Sequence, residues 1–380
     1  MILKNSTLDE WLKKPKNGFL KRGGDKFPFF SKYHVFKDYL DNGLQREVTK
    51  QAIYHEIQEK KELENVIWLN DHGPDHIAAV VERASQLLDN GKEDTSNFMY
   101  SLNAREVFLL LNAIQVHDVG NFFGRVGHEE KVLEAVNNGL TPILFDSTEA
   151  KYIYDIAHVH GGKVTYKNGS SDKNTIKKIK QHITSDGYDV RLQLLAAILR
   201  FADELADEKK RADILSLNNG SLTKGSEVFH AFSACLDSVK VDHSKLIIEV
   251  HFKIPKKYAT RKFGKLISEN GINKVVDCYL IDEIYSRLLK MHQERIYCSK
   301  FWKSMIEIDR IWVEIEFYND SMGEETIDFE HLQVHPDITF TLHDNGYPSG
   351  SGDIFSCCDG ELKYQDGSKI DGENLFKKIS

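Results

Sequence analysis

Apolar side chains return every three or four positions through "DHIAAVVERASQLLDN", placing Ile77, Val80, Val81, Ala84, Leu87 and Leu88 on one helical face. The stretch "NAREVFLLLNAIQVHD" is apolar on most sides, which predicts a helix buried at the centre of a bundle. Shorter helical patterns follow in "HEEKVLEAVNNG", closed by Asn-Gly, and in "STEAKYIYDIAHVHGG", opened by Ser147 and stopped by two glycines. "YDVRLQLLAAILRFADELAD" is a further strongly apolar helix. Ahead of these lie a Lys/Gly-rich lead and a charged helical stretch, "QREVTKQAIYHEIQEKKELE".

After residue 225 the period shortens. "VFHAFSACLDSVKVD" and "KLIIEVHFKI" alternate like two strands of a hairpin, and "RIWVEIEFYN" and "DITFTLHD" read as two more. Between them "VVDCYLIDEIYSRLLKMHQERIYCSKFW" reads as one long helix. The order predicts a mainly α protein: a lead-in over 1–60, a helical bundle over 61–224, an appended small α+β region (antiparallel sheet plus helix) over 225–345, and a tail of loops or hairpins over 346–380. The long helix carries more apolar surface than a four-stranded sheet needs, at Tyr279, Ile284, Leu288, Met291, Tyr297, Phe301 and Trp302. That surplus predicts packing against the bundle or, alternatively, against a second copy or a partner protein.

Composition narrows the class. The 380 residues are 41% hydrophobic and 28% charged, as in water-soluble globular proteins, and no apolar run is long enough to span a bilayer. A net charge of −8 disfavours constitutive binding to extended nucleic acid, while a local basic pocket for one small phosphorylated molecule remains compatible with it. The opening "MILKNSTLDEWLKKPKNG" has neither the apolar core nor the small-residue cleavage site of a secretory leader. Five cysteines without zinc-ligand spacing predict reduced thiols in a cytoplasm.

The polar residues at the helix ends carry the candidate chemistry. His76 opens one helix, His117 and Asp118 close the central one, and His128 stands at the start of the next. His158 and His160 end another, and Asp203 interrupts an otherwise apolar last helix. Imidazole and carboxylate are ligands shared by Mn, Fe, Co, Ni and Mg, and helix termini can converge at one end of a bundle. A carboxylate in apolar surroundings calls for a cation. Asp71, His72 and Asp75 compete with His76 for its position. His158 is preferred to His160 because the latter lies past the last helical turn.

The ordered set His76, "HD" at 117–118 and Asp203 in "LRFADELAD" resembles the HD superfamily of metal-dependent phosphohydrolases over roughly residues 65 to 215. The resemblance implies an HD-type helical bundle in which His76, His117, Asp118 and Asp203 hold a first divalent metal. His128 and His158 match the additional histidines of two-metal members, with Asp118 as the bridge. It also resembles the layout of HD-GYP-type cyclic dinucleotide phosphodiesterases and of bacterial HD diadenosine tetraphosphate hydrolases. It departs from the former in having "HVHGGK" where they carry adjacent histidines and Gly-Tyr-Pro.

The activity implied is hydrolysis of a phosphoester or phosphoanhydride of a small nucleotide, with His117 and Asp118 in the catalytic centre. Arg125 and Lys163 are placed by sequence to grip phosphate and assist catalysis, and His72 and His160 to approach the substrate or orient a ligand. Arg83 and Arg200 are secondary candidates. The alternatives are a nucleotide sensor that signals through the α+β region, and a single-strand nuclease. The lysine-rich "YKNGSSDKNTIKKIKQH" holds only one aromatic residue, which argues against the nuclease.

Overall fold

The structure is a computed structural model that describes residues 7–13, 29–42, 70, 72–89, 98–99, 101–123, 127–137, 146–165, 169–269, 272–302, 305–318, 337–344, 353–358 and 360–379. The charged stretch expected to be helical before residue 65 lies outside them. The chain divides into two compact units. The first comprises Met1–His55, Asp71–Ala206 and Cys298–Ile306; the second comprises Glu56–Asn70, Asp207–Tyr297 and Glu307–Ser380. In this part of the chain the two units divide between Ala206 and Asp207.

Seven helices of the first unit are named here: α1 (Leu8–Lys13), α2 (Phe29–Asn42), α3 (Pro74–Leu88), α4 (Ala104–Val116), α5 (Val132–Asn137), α6 (Ser147–Ala157) and α7 (Leu192–Glu204). Every residue of α4 is buried, and α1, α2, α3, α6 and α7 pack around it. Its sequence favours that place, because a helix apolar on most sides has little to give to water. Along α7, Leu192, Leu195, Ile198, Leu199 and Phe201 are fully buried, each contributing about 1.5–3 kcal/mol over the exposed state.

Polar ties set how the helices begin. Asn103 caps α4 by accepting from the Glu106 amide at 3.0 Å, and Glu106 returns a bond to the Asn103 amide at 3.1 Å. The same Glu106 carboxylate takes Arg191 Nε (2.8 Å) and Nη2 (2.7 Å), so the starts of α4 and α7 are locked together. Buried Arg105 donates to Glu149 on α6 at 2.7 Å and to Ser185 Oγ, with the stacked rings of Phe29 and Phe108 beneath its guanidinium. Gly73 and Pro74 begin α3, the proline at a position where no amide hydrogen is needed.

The second unit holds a four-stranded sheet of β1 (Leu236–Asp242), β2 (Ile247–Pro255), β5 (Arg310–Tyr318) and β6 (Asp337–Leu342), and a separate hairpin of β3 (Lys262–Glu269) and β4 (Ile272–Tyr279). The sheet order is β6-β5-β2-β1. Instead of the expected all-antiparallel sheet, β5 runs parallel to β2, Val313 opposite Val250, while the outer pairs are antiparallel. A parallel neighbour requires a crossover, and the β3–β4 hairpin plus a long helix supply it.

Two other expectations are corrected. "VFHAFSAC" is not a strand: Glu227–Cys235 is a helix, because Val228, Ala231, Phe232 and Cys235 fall at helical spacing and all four are buried. The long helix starts at Leu280 rather than Val275, since the β-branched residues before it pair with β3. It ends at Trp302, its last turn belonging to the first unit. Its apolar side chains Ile284, Leu288, Met291, Tyr297 and Trp302 are buried, as is Tyr279 at the end of β4. The tail is more than loop, for Gly372–Ile379 forms a helix that buries Leu375 and Ile379. All five cysteines are free thiols. Among the described residues no helix is long and apolar enough to cross a membrane.

Candidate metal centre

The termini of four first-unit helices deliver the polar cluster. His76 is in the first turn of α3, His117 is the residue that ends α4, His160 follows the end of α6, and Asp203 is in the last turn of α7. His128 comes from the turn before α5 rather than from a helix. Two donor sets result: His76, His117, Asp118 and Asp203, and Asp118, His128 and His160, with the donor atoms in each set within 4.8 Å of one another.

In the first set His76 Nε2 stands 3.2 Å from Asp203 Oδ1 and 3.7 Å from Asp118 Oδ2. His117 Nε2 is 3.4 Å from Asp118 Oδ2 and 3.5 Å from Asp203 Oδ1. Donors about 2.1 Å from one cation lie about 3.0–3.4 Å from each other in octahedral or tetrahedral arrangement. The set therefore fits one ion with little adjustment. Asp118 Oδ1 faces the other way, 3.0 Å from His128 Nε2 and 3.8 Å from His160 Nε2. One carboxylate thus presents one oxygen to each set.

The imidazoles are oriented from behind. His117 Nδ1 donates to Ile114 O at 2.8 Å and His160 Nδ1 to Ala157 O at 2.6 Å. A carbonyl only accepts, so in the neutral rings the lone pair is left on Nε2, aimed into the cluster. His117 Nε2 is buried and makes no hydrogen bond, as a donor atom kept for a cation requires. His128 Nδ1 lies 2.9 Å from Glu129 Oε2, a carboxylate–histidine arrangement that raises the basicity of Nε2.

Electrostatics follow the geometry. Burial disfavours a charged His117, but the carboxylates of Asp118 and Asp203 outweigh it and carry its pKa up to about 10. Asp118 and Asp203 are held well below the usual carboxylate range: burial opposes ionisation, and the surrounding histidines more than offset it. His160 is pushed down to about 3, first by burial and then by the nearby charges of His117 and His128.

Of the residues expected at the site, His76, His117, Asp118, His128 and Asp203 come together, and His160 takes the place expected of His158. The His158 ring instead stacks on Tyr154 (centroids 4.5 Å apart, planes at 8°) with Nδ1 donating to Tyr154 O. The chain turns back after α6, with His160 N bonded to Ala157 O, and brings the later histidine inward. His72 is buried beside the first set, Nε2 3.9 Å from Asp118 Oδ2. Lys163 is exposed in the loop after Gly162 and belongs to neither set, and Arg125 lies outside the described residues. Arg83 donates to Leu205 O and Gln86, and Arg200 to Lys173 O and Thr175, so both serve the scaffold.

Three contributors were missed. Glu129 was signalled only by its adjacency to His128. Gly120 is required because a Cβ there would fall 1.8 Å from the His128 carbonyl oxygen. Gly162, at φ +72°, passes so close to Glu129 that a Cβ would meet its carboxylate at 2.6 Å.

The HD-CE family matches residues 66–288, a span that contains both donor sets and continues into the second unit. No curated protein and no solved structure matches the chain. With more than half its length matched, the chain belongs to the HD-CE family.

Proposed function

We propose that this protein is a metal-dependent phosphohydrolase of the HD superfamily. It holds two divalent cations (from Mn, Fe, Co, Ni or Mg) and cleaves a phosphoester or phosphoanhydride of a small nucleotide. The observation that supports this most directly is the Asp118 carboxylate, whose two oxygens face separate donors, His76 and His117 beside half-buried Asp203 on one side and His128 and His160 on the other. His76, His117 and Asp203 would complete the first site, and His128 and His160 the second. Cations held there would supply a water of lowered pKa and positive charge for the phosphoryl oxygens.

The chain's own part is to hold these donors buried and oriented. Ile114 O, Ala157 O and Glu129 fix the rings, and burial of His76, His117 and Asp118 keeps bulk water from competing for the cations. His72 is placed to hydrogen-bond a ligand or phosphate, and Arg125 and Lys163 supply positive charge in the neighbouring loops of the sequence. The test is elemental analysis of the purified protein followed by a nucleotide screen for released phosphate or nucleoside phosphates. Asp118→Ala should lose metal and activity while remaining largely helical. Retention of both by that variant would sink the proposal; nucleotide binding without any turnover would point to the sensor.

A further inference from the structure

Thr175 is 4% exposed and stands before the short helix Ile176–Lys178. Its hydroxyl accepts from Arg200 Nη1 at 2.8 Å and donates to Val159 O at 2.9 Å. Arg200, also 4% exposed, lies on α7 one turn before Asp203, and the same Nη1 reaches Lys173 O at 3.1 Å. Val159 is fully buried and lies in sequence between His158, whose ring stacks on Tyr154, and His160, which belongs to the second donor set. A continuous path therefore runs from the helix that presents Asp203, through a guanidinium and a hydroxyl, to the backbone that presents His160.

The path matters because His160 has no helix of its own. Its Nδ1 bond to Ala157 O fixes the ring against its own turn, and that bond says nothing of where the turn sits relative to Asp118. The Thr175 hydroxyl ties the turn to α7, whose position the apolar core has already set. We propose that Thr175 and Arg200 are positioning residues that hold His160 against Asp118 and so set the second cation's place relative to the first. This rests on the two-cation reading above. A solely structural tie would lower the stability of the whole unit without favouring one donor set.

The test titrates metal-stripped full-length protein with Mn²⁺ by calorimetry, with bound metal counted after gel filtration. Thr175→Val keeps the volume and removes the hydroxyl. It should weaken the second Mn²⁺ about 10- to 100-fold, the usual effect of losing a group that orients a ligand, and leave the first unchanged. Thr175→Ser should restore the second. Wild-type affinity for both ions in Thr175→Val would overturn the proposal, as would equal weakening of both. If circular dichroism shows Thr175→Val unfolded, Arg200→Lys, which keeps the charge and loses the fork, is read by the same two criteria. A wild type that binds one Mn²⁺ would instead bring down the two-cation reading itself.

Discussion

His117 shows what a metal-free cluster does with its charge. Asp118 and Asp203 hold its pKa up to about 10, so between pH 7 and 9 the ring is protonated until a cation displaces the proton. Adding Mn²⁺ to stripped protein at pH 8 in weak buffer should release about one proton per chain from this residue, the release falling to about half near pH 10 and vanishing well above it. An indicator dye reports it, and a pH-independent signal would contradict the assignment. His158 and His160 make a second residue-scale contrast. His160→Ala should lower metal occupancy and His158→Ala should not, read by elemental analysis. Sequence order made His76, the 117–118 doublet and Asp203 legible, because each terminates or opens a strongly periodic helix. The choice between His158 and His160 was not legible, because it depends on how the chain turns after α6, and one buried ring against one stacked ring has no local signature.

At the scale of elements, the turn between α4 and α5 carries the tightest constraint. A Cβ on Gly120 would meet backbone, not a flexible side-chain end, so the turn bearing His128 would have to move away. Gly120→Ala should therefore cost the second metal before the first, and calorimetry with Mn²⁺ distinguishes the two. The start of α4 gives a stability test. Arg105 is buried against Glu149, and Arg105→Ala leaves that carboxylate with diminished compensation, at a cost of about 3–5 kcal/mol measurable by urea unfolding. Helix existence was legible from the 3.6-residue period for α3 to α7, whereas α1 and α2, in the stretch read as a lead-in, were not foreseen. The Glu227–Cys235 helix was misread because "VFHAF" satisfies two-residue alternation almost as well as helical spacing, and burial of Val228, Ala231, Phe232 and Cys235 decided it. The parallel β2–β5 pair could not be read at all, since strand direction is set by the crossover rather than by the strands.

For the molecule as a whole, the family match runs to residue 288 and ignores the change of period near 225 that separated bundle from sheet on sequence grounds. The first unit is also discontinuous. It is completed by Cys298–Ile306, where Trp302 lies 3% exposed with its ring 5.5 Å from that of Phe201 on α7. Trp302→Ala should destabilise the protein by about 3–5 kcal/mol, as truncation of a buried tryptophan does, although the residue is far from Phe201 in sequence. A fragment ending at Ala206 should aggregate on expression, and a soluble, metal-binding fragment would show the late segment to be dispensable.

That late segment has a consequence for biosynthesis. When Ala206 leaves the ribosome, the face of α7 around Phe201 still lacks the ring that will cover it, and about 100 further residues must be polymerised first. At about 5–20 residues per second the wait is about 5–20 s, long on the timescale of hydrophobic collapse. The nascent chain therefore carries exposed apolar surface through the synthesis of the sheet strands β1 to β4, and demand for chaperones during translation should fall sharply once Trp302 has emerged.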